Sequence, residues 1–211
     1  MNQRGHDLIL KHSCWDIAWS TSEQHLVTND IYGILRKWSN IYESATIVAE
    51  SSQKCEGLLV AFSSDDRLIA TASHFLARLW DASNLSLVWE YLGGASLGVA
   101  IHPNGRDVFF FDELSVHDVN AEDFGNITTT EFKLDHSLYR VVLDPGGKPC
   151  VAWTQQRVRI LSADTFTERA SFSLVPFKTM QYTPNGKYLL LVSLSKTVVL
   201  WDIAECRVVE S

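Results

Sequence analysis

The chain has 211 residues, is 46% apolar and 20% charged, and carries a formal net charge of −7 with a pI near 5.4. That apolar content excludes a disordered chain, and the length suffices for one domain with a real core. The acidic balance argues against broad electrostatic binding to nucleic acid or anionic membrane. No run approaches the roughly eighteen apolar residues of a spanning helix, and Met1 to His12 holds no secretory core, so an intracellular protein, cytoplasmic or nuclear, is expected. Cys14, Cys55, Cys150 and Cys206 lie far apart without Cys-x-x-Cys spacing and read as buried reduced thiols.

In chain order, the sequence predicts a leading strand over Asp7 to Lys11 and then short apolar or β-branched runs in groups of four, a to d. The first group is Trp15–Trp19, His25–Thr28, Ile34–Trp38 and Thr46–Glu50. The second is Leu58–Phe62, Leu68–Ala72, Leu76–Trp80 and Leu87–Tyr91. The third is Leu97–Ile101, Asp107–Phe110, Leu114–His117 and Ile127–Leu134. The fourth is Leu138–Leu143, Pro149–Trp153, Val158–Leu161 and Thr167–Phe172. The fifth is Phe177–Tyr182, Tyr188–Val192, Thr197–Trp201 and Arg207–Glu210. No stretch keeps a helical apolar period. Strands a and b are apolar on both faces, which suits strands covered from two sides; strands d alternate and carry charge, which suits an outer rim.

Two anchors hold the groups in register. Trp38, Trp80, His117, Leu161 and Trp201 are spaced by 42, 37, 44 and 40 residues. The turn triplets Thr21-Ser22-Glu23, Ser64-Asp65-Asp66, Pro103-Asn104-Gly105, Pro145-Gly146-Gly147 and Pro184-Asn185-Gly186 are spaced by 43, 39, 42 and 39. A period of about forty with Leu79-Trp80-Asp81 and Leu200-Trp201-Asp202 resembles the WD-repeat family over Leu8 to Ser211. The resemblance implies an all-β propeller of about five four-stranded antiparallel blades in one domain, with repeats over 12–50, 57–91, 96–134, 137–172 and 176–211 and residues 7–11 as a leading strand. A single repeat cannot bury both its faces; blades stacked about an axis can.

The repeats depart from the family pattern. The turn Asp that precedes the Trp by six residues is replaced by Tyr32, His74, Phe111, Gln155 and Ser195, and the Gly-His opening survives only loosely, at His12 and His136. Transfer of the family's polar network is therefore not expected. A ring that starts on a d strand should stop on a c strand, yet the fifth repeat has its own d strand, and most members have seven blades. An incomplete propeller is the favoured reading, the ring being completed by another chain or a missing segment; a closed five-blade ring is the alternative. About 400 Å² of apolar surface left wet at an open end forfeits about 10 kcal/mol, as much as a typical domain's whole stability.

No catalytic constellation emerges. Gly94-x-Ser96-x-Gly98 has the nucleophile-elbow spacing, but the next residues predict a strand where the elbow needs a helix, and small residues there let strand a run close to the axis. The histidines show no metal-ligand spacing, and neither glycine pair has the Lys and helix of a phosphate site, so no cofactor or metal is expected. Arg36-Lys37 and Arg157/Arg159 read as solvated strand faces. The Trp residues of the inner strands, Trp19 included, read as core. By the resemblance, strand-a starts and b–c turns crowd one face around the axis, and there Trp15, Tyr32, His74, Phe75, Tyr139 and Gln155 are the candidate protein-binding residues. The implied function is a noncatalytic scaffold for a protein or peptide partner. The alternative is a propeller enzyme, lactonase-like or oxidoreductase, with its site at the channel mouth. The Trp-Asp-x-Arg signature of cullin-ligase substrate receptors is missing, with Ser83 and Ala204 in the last position.

Overall fold

The computed structural model describes residues 10, 12–55, 58–73, 75–93, 98–112, 115–131, 138–144, 150–154, 157–162, 165, 167–173, 177–183, 185–193 and 197–210. Their twenty strands form five antiparallel four-stranded meanders in strict sequence order. Sheet 1 holds β1 (Cys14–Trp19), β2 (Leu26–Asp30), β3 (Leu35–Ser39) and β4 (Thr46–Glu50). Sheet 2 holds β5 (Leu59–Phe62), β6 (Leu68–Ser73), β7 (Leu76–Asp81) and β8 (Leu87–Leu92). Sheet 3 holds β9 (Gly98–Ile101), β10 (Asp107–Phe111), β11 (Ser115–Asn120) and β12 (Asp123–Glu131). Sheet 4 holds β13 (Leu138–Val142), β14 (Cys150–Thr154), β15 (Arg157–Leu161) and β16 (Glu168–Ser173). Sheet 5 holds β17 (Phe177–Tyr182), β18 (Tyr188–Ser193), β19 (Val198–Asp202) and β20 (Arg207–Glu210).

The first strands stand side by side, β1 beside β5, β5 beside β9, β9 beside β13 and β13 beside β17. The sheets thus stack like blades, and the core is a series of layers between them. Val27 and Leu35 of sheet 1 meet Val60, Ile69 and Trp80 of sheet 2. Ala70, Ala72, Ala77 and Leu79 on the other face of sheet 2 meet Val108, Phe110 and Val119 of sheet 3. Phe109, Phe111 and Val116 then meet Val141 and Leu161 of sheet 4, and Val158 and Ile160 meet Met180, Leu189, Leu191 and Trp201 of sheet 5. In the first layer the bulky Trp80 of sheet 2 lies against the smaller Val27 and Leu35 of sheet 1, the packing of large on small that fills a core without voids.

The turn triplets carry the repeat's geometry. Their third residues, Glu23, Asp66, Gly105 and Gly186, all take a left-handed φ, at 58°, 57°, 70° and 67°. Glycine adopts this freely, whereas Glu23 and Asp66 hold it against Cβ strain. The turns are chained between blades: the amides of Thr21 and Ser22 donate to the Asp66 carboxylate at 2.6 and 3.0 Å, and Ser64 Oγ donates to the Pro103 carbonyl at 2.6 Å. After the Trp, Asp81 Oδ1 accepts the Ser83 amide at 2.7 Å and Asp202 Oδ1 accepts those of Ala204 and Glu205 at 2.9 Å, so the Asp of each Trp-Asp pair shapes the c–d turn.

Several expectations need correction. Trp19 is 44% exposed, although its strand belongs to the innermost row, because among the described residues no strand of another sheet packs on that side of sheet 1. Lys37 and Arg159 are buried, since stacking covers both faces of a c strand; Lys37 Nζ reaches across to donate to the Ala82 carbonyl at 2.8 Å. Burial pushes the Lys37 pKa down, against the attraction of Asp66 and Asp81. Cys206 is exposed, in a left-handed turn position, while Cys55 is buried with its thiol 2.9 Å from Asn29 Oδ1. The fourth strand of the third repeat begins at Asp123, ahead of the expected Ile127.

Candidate interaction surface

The b–c turns decide which side chains project from the stack. In sheet 1 the turn is built by Asp30. Its Oδ1 accepts the amides of Tyr32 and Ile34 at 2.9 and 3.0 Å, and its Oδ2 accepts Arg36 Nη1 at 2.5 Å. Burial acts to raise the Asp30 pKa, but hydrogen bonds from Arg36, Ile34 and Tyr32 outweigh it and hold the carboxyl below its usual range. Gly33 supplies the left-handed residue, φ 78°. The result is a fixed turn that displays Tyr32 55% exposed, with the His12 ring packed edge-on and the ring centroids 4.7 Å apart. In sheet 2 the turn displays Phe75 79% exposed beside β8, where Leu92 is 77% exposed and the Gly93 amide donates to the Phe75 carbonyl at 3.3 Å.

Tyr32 and Phe75 therefore stand on corresponding turns of adjacent blades. Trp15 is exposed too, at the irregularity between Cys14 and Asp16 where β1 shifts register against β2. Tyr139 lies within β13, and its side chain falls outside the described part, as do His74 and Gln155 altogether.

The turn of sheet 3 brings together Asp112, Ser115 and His117, a set that spacing alone did not single out. Ser115 Oγ donates to Asp112 Oδ2 at 2.7 Å, His117 Nε2 lies 3.0 Å from the same oxygen, and His117 Nδ1 lies 3.0 Å from Thr129 Oγ1. A nucleophile–base relay needs the carboxylate and the hydroxyl on opposite ring nitrogens. Here both meet Nε2, and the ring is buried against Tyr91, so the group ties the turn to β11 and β12. Gly98 opens β9 as a strand, and a Cβ there would stand 3.2 Å from the Val141 amide, which fits the close-approach reading of the small residues. Among the described residues, no three His, Cys, Asp or Glu side chains are grouped to hold a metal ion.

On the side of the a–b turns, opposite the b–c turns, Phe62, Val99, Ile101, Val142 and Tyr182 line a cavity of about 450 Å³ with Asp144 and Gln181 at its polar margin. It marks the channel around which the first strands are arranged.

Five in-order meanders around such a channel, two of them with Trp-Asp at the end of the third strand, define the architecture. The chain has a β-propeller fold. Residues 59–81, which are β5 to β7, match the family described as WD domain, G-beta repeat. The β-propeller domain of Cps50 (Swd1) from Myceliophteria thermophila superposes with a TM-score of 0.78 at 16% identity, over 92% of this chain and 66% of that one. The chain thus spans just under two thirds of that solved domain. A comparison with curated proteins by sequence finds no match. No helix among the described residues is long and apolar enough to cross a membrane.

Proposed function

We propose that this chain is a noncatalytic interaction scaffold that presents the b–c turns of its blades to a protein or peptide partner. The carrying observation is the pair Tyr32 and Phe75: two large apolar side chains held in water on corresponding turns of neighbouring blades, the first fixed by a buried carboxylate. Rigid exposed aromatics bury much area on binding and lose few rotamers, which is why they recur as anchors. Rigid turns on a stacked scaffold keep the spacing of such anchors constant. WD-repeat propellers as a class act in this way, and nothing in the Asp112–Ser115–His117 geometry favours a reaction.

The test is affinity capture with the intact chain, followed by Tyr32→Ala and Phe75→Ala. Each substitution should lower recovery of the partner at least tenfold while circular dichroism and melting stay those of the parent, because both side chains are exposed. Recovery unchanged in both variants puts the binding face elsewhere.

A further inference from the structure

Strand register and turn geometry repeat, so the layers between blades can be compared position by position. The c–d turns of sheets 2 and 5 have the same length: Trp80 pairs with Leu87 and Trp201 with Val208. In both, the fifth residue after the Trp takes a left-handed φ, Leu85 at 59° and Cys206 at 49°. In both, the residue after the Asp bonds back to the a–b turn, the Ala82 amide to the Arg67 carbonyl and the Ile203 amide to the Lys187 carbonyl. Cys206 therefore stands where Leu85 stands in blade 2.

What fills that place differs between layers. Leu85 is 1% exposed and packs into the layer between sheets 1 and 2. Phe124, five residues after Val119, packs into the layer between sheets 2 and 3, its ring stacked on Trp89 with centroids 6.2 Å apart. Cys206 is exposed, and a cavity of about 350 Å³ opens between sheets 4 and 5, bounded by Ile160, Ala170, Ile203 and Cys206. A thiol is too short to reach where an isobutyl group or a phenyl ring reaches.

The charges around the place change as well. In the first layer Lys37 enters it and donates to the Ala82 carbonyl at 2.8 Å, with the Asp66 and Asp81 carboxylates acting on its ammonium. By register Lys37 answers to Ile160, each opposite an alanine of the d strand, Ala49 or Ala170. Val48 and Arg169 are the residues that those d strands skip at their bulges. Asp66 answers to Gly186, the left-handed residue of its turn, and Arg67 to Lys187. The layer between sheets 4 and 5 thus lacks the inserted lysine and one carboxylate, and it has Arg169 and Lys187 at its margin.

These two cations are unengaged. Arg36, Arg67, Arg78, Arg106, Arg159 and Arg207 each meet a carboxylate at 3.2 Å or less, whereas among the described residues Arg169 and Lys187 meet none. Lys187 Nζ lies over the Tyr188 ring, 4.8 Å from its centroid. The carboxylates that act on Lys187 are occupied elsewhere: Asp202 Oδ1 accepts the amides of Ala204 and Glu205, and Glu205 Oε2 accepts Arg207 Nε at 2.6 Å. An apolar cavity with two such cations at its mouth suits a bulky aliphatic group flanked by carboxylates. In the other layers the place is taken by a protein side chain, Leu85 or Phe124, so a side chain supplied from outside fits it.

We propose that the cavity between sheets 4 and 5 takes a leucine side chain from an acidic segment of a partner protein, with the carboxylates beside that leucine on Arg169 and Lys187. This surface lies at the a–b and c–d ends of the strands, opposite the b–c turns that carry Tyr32 and Phe75, so it is independent of the scaffold face.

The probe is an end-capped, fluorescein-labelled peptide, Glu-Asp-Leu-Asp-Glu, titrated with the intact chain at low salt and followed by anisotropy. Saturable binding is expected. It should weaken at least tenfold when the peptide's leucine becomes alanine, when its acidic residues become lysine, or when the protein carries Arg169→Glu with Lys187→Glu. Cys206→Leu installs the side chain that blade 2 holds in the same left-handed position, and it should close the cavity and lower binding at least tenfold. Cys206→Ser leaves the cavity open and should bind as the parent does. Each of these positions is exposed, and melting curves matched to the parent control for folding. Saturating peptide should also slow the alkylation of Cys206 by iodoacetamide, mapped by mass spectrometry. Binding that ignores the peptide's leucine or its charge, binding that Cys206→Leu retains, or alkylation that the peptide leaves unchanged overturns the proposal. Tyr32→Ala and Phe75→Ala should bind the peptide as the parent does; loss in these two alone moves the peptide to the b–c turns and overturns the cavity assignment.

Discussion

The indole of Trp80 shows what a single polar atom costs in this core. Its Nε1 donates to Thr71 Oγ1 at 3.0 Å, and Trp38 repeats the contact with Thr28 at 2.9 Å. In both blades the threonine stands two residues beyond the Trp's cross-strand partner, Ile69 or Leu26. In sheet 5 that place is Leu191, and Trp201 Nε1 is buried without a hydrogen-bond partner. Trp201 is held instead by its stack on Phe172, with ring centroids 3.6 Å apart. Thr71→Val would create in blade 2 the situation blade 5 already has. Leaving a buried N–H unpaired costs about 1–3 kcal/mol, so urea unfolding should show a loss in that range. In a Trp80→Phe background the same substitution should cost almost nothing, because no donor remains to be orphaned. An equal loss in both backgrounds would assign the effect to threonine packing alone.

At the scale of strands and turns, the carboxylate of Asp66 links two blades, and its charge makes the link sensitive to pH. Burial acts to raise its pKa, but hydrogen bonds from Ser22 and Thr21 and the nearby His25 lower it below the ordinary 3.8. A depressed folded-state pKa means stability that is fully present above the unfolded value and lost as pH falls through the folded one. Asp66→Asn keeps a side chain that tolerates the left-handed turn and removes the charge. It should cost about 1 kcal/mol at pH 7, the site being partly exposed, and the difference from the parent should vanish well below pH 4. Melting curves across that range measure it. Strands of this kind were legible in the sequence because the b and c runs are apolar at nearly every position and end in turn triplets of fixed spacing. The left-handed third residue was legible where it is glycine and hidden where it is Glu23 or Asp66. The candidate face was only half legible. Tyr32 and Phe75 could be placed from their turn positions, but the irregularity at Trp15 was not readable, and the turn-building roles of Asp30 and Asp112 were missed because they sit one to two residues away from the family's turn carboxylate. Which aromatic faces water depends on whether a neighbouring blade is present, and periodicity does not report that.

For the whole molecule, end blades that each pack on one neighbour among the described residues make stability uneven along the chain. In repeat architectures each unit leans on its neighbours, so a unit with one neighbour is the first to open. Sheets 2 and 3 are covered on both faces, with Ile69, Trp80, Ala70, Leu79, Val108 and Phe110 all excluded from solvent. Sheets 1 and 5 each leave one apolar face wet. Hydrogen exchange followed by mass spectrometry should therefore find the slowest amides in β6, β7 and β10, with those of β1 to β4 and β17 to β20 exchanging at least tenfold faster. The inner strands should report global unfolding and the outer ones local opening. Uniform protection from β1 to β20 would mean that the first and fifth blades meet in solution and the ring is shut with five.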